Sequence, residues 1–133
     1  MAPIRVLLVD DNEAFLDSAV RFLSQDADIE IVGSALCGDE ALKQASRLTP
    51  DLVLMDLAMP DMSGLEATRA IKALLQKPRV VILTLHDNAE YRAAAKAVGA
   101  DGFIAKSEFG TALRGQIHSM FPELAHPKGG RNS

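Results

Sequence analysis

Five side chains of complementary chemistry stand where apolar runs end. Asp10 and Asp11 follow IRVLLV, Asp56 follows DLVLM, Thr84 closes RVVILT, and Lys106 follows GFIA. Singly, each has an ordinary structural explanation: Asp11 or Asn12 can cap a helix, Asp56 can start a turn toward Pro60, and Lys106 can be a solvated lysine. Turn chemistry, however, would accept Asn, Gly or Ser equally well at such places, so three carboxylates, a hydroxyl and an ammonium together point to a site. Two carboxylates about 4 Å apart repel by roughly 4 kcal/mol at an effective dielectric of 20, so three of them must be protonated or neutralised by a cation. Oxygen-only ligands suit Mg²⁺. Zinc lacks a ligand set, because Cys37 is the single cysteine and His86, His118 and His126 are scattered. A divalent ion beside a carboxylate, with a lysine and a threonine in the same crevice, provides what phosphoryl transfer needs: charge neutralisation, contacts to the equatorial oxygens and a placed nucleophile. The acceptor in this reading is Asp56, between the Asp10 and Asp11 pair and the Thr84 and Lys106 pair.

The elements that must position these groups follow from hydrophobic period. Ile4 to Val9 is a strand-length run rich in leucine and β-branched residues, expected to be central and covered on both faces. Helical spacing follows, with Phe15, Ala19, Phe22 and Leu23 on one face. The alternation repeats with a strand over Ile29 to Ala35, a helical face of Ala41, Leu42, Ala45 and Leu48, and an apolar strand expected from Asp51 to Met55 after the break at Pro50. Ser63 and Glu66 form a capping box opening a helix that carries Leu65, Ile71, Leu74 and Leu75 and stops before Pro78. Arg79 to Thr84 is the fourth strand. Asp87 and Glu90 repeat the capping pattern before an alanine-rich helix, which Gly99 terminates in the left-handed region. Gly102 to Ala105 is a short fifth strand, and a last helix runs to about Phe121. Strands that alternate with helices in this way imply an α/β fold, a doubly wound parallel sheet with helices on both faces. The functional crevice of such a sheet lies beyond the carboxyl ends of its strands, where the five polar residues stand.

Composition narrows the function further. The chain has 133 residues, enough for one self-sufficient core, and 48% hydrophobic with 24% charged residues describes an ordinary globular protein. A net charge of −4 argues against a nucleic-acid surface, which needs clustered Lys and Arg. One cysteine excludes an intramolecular disulfide framework, and the acidic N-terminal region fits neither a signal peptide nor a membrane span, so the expected setting is the cytoplasm. Residues 1–121 read as one domain and 122–133 as a flexible C-terminal tail, too short for a DNA-reading domain and in keeping with a stand-alone protein.

The pieces VLLVDDN (Val6 to Asn12), DLVLMDLAMPDMSGLE (Asp51 to Glu66), VILTLH (Val81 to His86) and GADGFIAKS (Gly99 to Ser107) resemble the receiver domain of two-component response regulators. The likeness runs from Ile4 to about Phe121 and is closest to receivers joined to LuxR-type helix-turn-helix outputs, here without that output. It implies a flavodoxin-like receiver fold of five strands in the order 2-1-3-4-5. It implies that Asp56 is phosphorylated by a sensor histidine kinase or histidine phosphotransfer protein. Asp11, Asp56 and the carbonyl of Ala58 would hold Mg²⁺, with Asp10 acting through water. Lys106 would pair with the phosphoryl oxygens, Thr84 would move to hydrogen-bond them, and Phe103 would turn inward as the switch aromatic. The face made by the fourth helix, fifth strand and fifth helix would change for a downstream protein target, and a homodimer could form on phosphorylation. Two departures stand out. Ser107 replaces the cis-forming proline that often follows the lysine in the family, and neither Ala58 nor His86 offers a carboxylate where the family steers the hydrolytic water, which implies slow self-dephosphorylation.

Other functions weigh less. A haloacid-dehalogenase-like phosphatase also uses an aspartyl nucleophile with Mg²⁺, but wants a second acid where Ala58 stands. A flavodoxin-like nucleotide binder needs a Gly/Ser/Thr-rich phosphate loop, and Asp10 and Asp11 would repel its ligand. The serious alternative is a phosphorylation-independent adaptor or dimerisation module with a receiver fold. On the favoured reading the chain is no enzyme beyond its own aspartyl phosphorylation and dephosphorylation, with no nucleic-acid or membrane contact.

Overall fold

Strand runs apolar on both faces can be buried only between two layers of helix, and the chain folds that way. The computed structural model describes residues 2–59 and 62–122. Its elements are β1 (Ile4–Val9), α1 (Glu13–Ser24), β2 (Ile29–Ala35), α2 (Gly38–Leu48), β3 (Leu52–Asp56), α3 (Gly64–Lys72), β4 (Arg79–Thr84), α4 (Ala89–Ala97), β5 (Gly102–Ala105) and α5 (Phe109–Met120), with a 3-10 turn over Lys106–Glu108 before α5. All strand pairs are parallel and the order is β2-β1-β3-β4-β5, as expected.

Period two divides the sheet into two cores. Val6, Leu8, Leu52, Leu54, Val81, Leu83 and Ile104 pack with Leu16, Ala19 and Leu23 of α1 and Phe109, Leu113 and Ile117 of α5. Their neighbours Leu7, Val9, Val53, Met55, Val80, Ile82 and Phe103 point the other way, onto Ala41 and Ala45 of α2, Ala67 and Ile71 of α3 and Ala95 of α4. Each fully buried leucine or isoleucine contributes roughly 1.5–3 kcal/mol.

Several local expectations are corrected. β3 starts at Leu52 and takes in Asp56 as its last residue, so the Asp56 carboxylate stands on the strand itself. α3 stops at Lys72, with Ala73 as its cap, and leaves Leu75 fully exposed. The Lys72 ammonium ties that last turn to the Pro78 carbonyl (2.9 Å) and to Asp101 (2.8 Å), fixing where the chain turns toward β4. At α4 the cap is Asn88, whose side chain accepts from the Tyr91 N–H (2.8 Å). Asp87 is instead engaged by the Arg92 guanidinium (2.6 and 2.8 Å). On α1, Leu16 is buried while Phe15 and Phe22 are only partly so. The Ser63 and Glu66 capping box forms as read, and Gly99 ends α4 at φ 95°. Peptide bonds among the described residues are trans, Lys106–Ser107 included. The expected Pro60 turn, His126 and all but Pro122 of the expected 122–133 tail lie outside the described residues.

Candidate functional site

Strand register brings the site together. Val9 is level with Met55, and Asp56 with Leu83. One residue beyond Val9, Asp10 therefore shares the parity of Leu8, as Asp56 shares that of Leu54 and Lys106 that of Ile104, all on the α1/α5 face. Ligand oxygens of Asp10, Asp11 and Asp56 lie within 4.8 Å of one another. The Lys106 ammonium, on a side chain only 11% exposed, is 2.6 Å from Asp10 Oδ2 and 3.3 Å from Asp56 Oδ1. The solvated-lysine explanation is thereby removed. Asn12 is the cap of α1, accepting from the Phe15 N–H (3.1 Å), which leaves the exposed Asp11 without that task. The Asn12 N–H also donates to Asp10 Oδ1 (2.9 Å) and fixes that carboxylate.

Burial holds the Asp56 carboxyl up at about pH 6, and the neighbouring Asp10 charge pushes in the same direction against the pull of Lys106. Burial alone would lower the Lys106 ammonium, but Asp10 and Asp56 outweigh it and raise the group above the ordinary lysine range. One ammonium thus answers three carboxylates. Asp10 Oδ2 is wholly buried and, although close to Lys106, has no aligned hydrogen-bond partner. A donor set of three carboxylates whose ligand oxygens lie within 4.8 Å of one another, answered by a single ammonium, fits a hard divalent cation, and the residues present could hold Mg²⁺.

Asp11, Asp56, Ala58, Thr84, His86 and Lys106 border one cleft of about 380 Å³. Thr84 is buried and ends β4 on the opposite parity, that of Ile82. Its hydroxyl donates to the His86 carbonyl and accepts from the His86 N–H, both at 3.1 Å, so it is held by its own loop. Phe103 does not join the cleft. It is already buried on the α2–α4 face, with the Arg92 guanidinium 4.8 Å from its ring centre, beside a separate cavity of about 440 Å³ lined by Lys96, Asp101 and Gln116 among others. The ring is thus buried while Thr84 is still held by its own loop.

Four residues contribute to the site that the sequence did not point to. Phe15, whose spacing predicts a helix-core residue, places its ring 4.6 Å from the Lys106 ammonium. Leu85 and Tyr91 form an exposed apolar rim of the cleft. Gly64 packs so closely that a Cβ there would stand 2.0 Å from the Asp56 carbonyl oxygen. Of the four, only Gly64 carried a signal, as a glycine at a helix's first turn beside a capping serine.

Known proteins share this arrangement of elements. Residues 6–118 match the response regulator receiver domain family. The response regulator protein VraR of Staphylococcus saprophyticus is 44% identical over 107 residues, 79% of this chain and 50% of that protein. The chain thus spans about half the length of the curated relatives it matches. Among solved structures, a LuxR-family two-component response regulator from an Aurantimonas species superposes with a TM-score of 0.85 at 30% identity, covering 92% of this chain and 87% of that one. A CheY-like receiver domain protein from Methanospirillum hungatei does so with a TM-score of 0.79 at 27% identity, covering 92% and 96%. Sheet order, acidic strand ends and these likenesses agree, and the chain belongs to the response regulator receiver domains of two-component systems.

Proposed function

We propose that this chain is a phosphorylation-activated switch in which Asp56 accepts a phosphoryl group in an Mg²⁺-dependent reaction and a protein-binding face changes in response. The donor is the phosphohistidine of a sensor histidine kinase or of a histidine phosphotransfer protein. An Asp56 carboxylate oxygen forms the new O–P bond as the donor's N–P bond breaks, and the electron pair of that bond leaves with the imidazole nitrogen. Mg²⁺, held by Asp11, Asp56 and the Ala58 carbonyl with Asp10 acting through water, would neutralise charge on the phosphoryl oxygens. Lys106, already against Asp10 and Asp56, needs only a short displacement to pair with the phosphoryl group. Thr84 must give up its two bonds to His86 to do the same. A group carrying about −2 charge then favours the arrangement in which Thr84 points into the cleft and Phe103 stays inward. The face formed by α4, β5 and α5 transmits that choice to a protein target or to a second copy of the chain. The receiver unit is residues 1–121, working in the cytoplasm without direct nucleic-acid or membrane contact.

The observation that carries this reading is the ammonium of Lys106 shared between two carboxylates of a three-carboxylate cluster. Incubation with Mg²⁺ and acetyl phosphate should add one phosphoryl group by intact mass, with none added in Asp56→Ala. Absence of uptake, with partner binding unchanged, would favour the adaptor reading. Because Ala58 and His86 supply no carboxylate, the phosphoryl group should persist for minutes; decay within seconds would refute that part.

A further inference from the structure

Two sides of the Lys106 ammonium face carboxylates, and a third faces an aromatic ring. Its Nζ lies 4.6 Å from the centre of Phe15, a residue of α1. Phe109, opening α5, meets Phe15 edge-on, with centroids 5.5 Å apart and planes at 73°, and Phe22 lies 5.8 Å from Phe109 with planes at 57°. The ring facing the lysine is thus braced by Phe109, which in turn packs against Phe22. We infer that Phe15 is a positioning residue: its π face keeps the Lys106 ammonium over the acidic cleft and lets it pass from Asp10 to a phosphoryl group on Asp56. This deepens the phosphoacceptor reading and rests on it.

The physical case lies in what a ring offers that other walls do not. A hydrogen-bonding neighbour would fix the ammonium along one direction and compete with the phosphoryl oxygens for its protons. An aliphatic wall would exclude water but exert no pull. The ring quadrupole attracts a cation over a broad area of its face without claiming a particular N–H, so the lysine stays near while its donors remain free for oxygen. The ring also excludes water from one side of the ammonium, which strengthens its attraction to both carboxylates.

Replacing Phe15 with 3,4,5-trifluorophenylalanine in the full chain empties the ring face of negative charge at nearly constant shape, and Phe15→Leu removes the ring. Phosphoryl uptake from acetyl phosphate at saturating Mg²⁺ should slow about 3- to 10-fold in the trifluoro chain, with the monofluoro chain in between. Urea unfolding gives a second readout that needs neither phosphate nor metal. Trifluorination should lower the folding equilibrium constant about 3-fold or more when Lys106 is present and leave it unchanged in a Lys106→Met background. Uptake unaltered by fluorination, or the same loss of stability in both backgrounds, would reduce Phe15 to apolar packing and overturn the inference. A parent chain that takes up no phosphoryl group would instead overturn the proposed function, while the unfolding cycle would still decide the Phe15 and Lys106 contact.

Discussion

Asp56 is held in a place that opposes its charge, and removing that charge should make the protein more stable. Burial first, and Asp10 second, raise its carboxyl from 3.8 to about 6. At roughly 1.4 kcal/mol per pH unit this difference is about 3 kcal/mol, the cost of keeping Asp56 ionised in the folded chain at neutral pH. The folded state binds this proton more tightly than the unfolded state does. The group's contribution to stability is therefore complete below about pH 4 and is lost as pH rises through about 6. Asp56→Asn keeps the shape and removes the charge, and Lys106 retains Asp10 at 2.6 Å, so no cation is left without a partner. In metal-free buffer at pH 7.5 the variant should gain roughly 1–3 kcal/mol by urea unfolding. Near pH 4 the two chains should be nearly equal. Millimolar Mg²⁺ should narrow the difference at pH 7.5, because an ion bound by the folded parent stabilises it and the variant has lost a ligand. A variant less stable than the parent at pH 7.5, or a difference independent of pH, would refute the electrostatic argument.

Three further substitutions test the scaffold by the same method. Asp101 accepts from the Val80 N–H and the Lys72 ammonium, each at 2.8 Å; burial works against its charge, but these partners and Arg79 hold its carboxyl below the usual range. Asp101→Asn should cost about 2 kcal/mol at pH 7, and the parent should lose this contribution as pH falls from about 3.8 through the lowered value. The Thr68 hydroxyl is buried without a hydrogen-bond partner, so Thr68→Val should stabilise by about 1 kcal/mol, and a loss would reveal a partner for that oxygen. Gly64→Ala drives a Cβ into the Asp56 carbonyl and should cost about 3 kcal/mol while impairing phosphoryl uptake; near-parental behaviour in both would show that α3 can shift without disturbing β3.

Legibility in the sequence followed the physics of each feature. β1, β4 and β5 fall where the apolar runs put them, because a strand buried on both faces leaves a nearly continuous signature that propensity and burial both support, while the part-exposed edge strand β2 falls where Ile29, Ile31 and Val32 put it. Asp10, Asp11, Asp56 and Lys106 were readable for the same reason, since a polar residue ending such a run is forced to the sheet's edge. The end of α3 was not readable: Leu75 sits at helical spacing, but the turn is set by Lys72 reaching residues that are distant in sequence. The α4 cap slipped by one residue because Asp87 has a stronger partner in Arg92 than a backbone N–H would be. Phe15 looked like core and is partly core; what separates it from Phe22 is the lysine arriving from β5, a contact across 91 positions that no local pattern encodes.

Strand parity also explains how chemistry on one side of the sheet could alter the other in the proposed switch. Asp56 and Lys106 share the α1/α5 face, whereas Thr84 and Phe103 have the parity of the α2–α4 face. Within a ladder a side chain cannot change faces without breaking register. Thr84 and Asp56 are the last residues of β4 and β3, and only there does the ladder stop constraining the backbone on one side. A phosphoryl group on Asp56 that draws Thr84 around the sheet's end removes a side chain from the layer that also holds Phe103. Phe103 is level with Ile82, two residues before Thr84 on the same face, so the space released adjoins its ring. The Arg92 guanidinium covers that ring from outside and is itself anchored by Asp87 in the loop that carries Thr84 onward. Movement of that loop must therefore either carry Arg92 along or part it from Asp87, and both outcomes alter the charge presented by α4. In the proposed switch, an acceptor at the limit of the sheet is therefore what lets the two faces be coupled where the rest of the sheet keeps them separate.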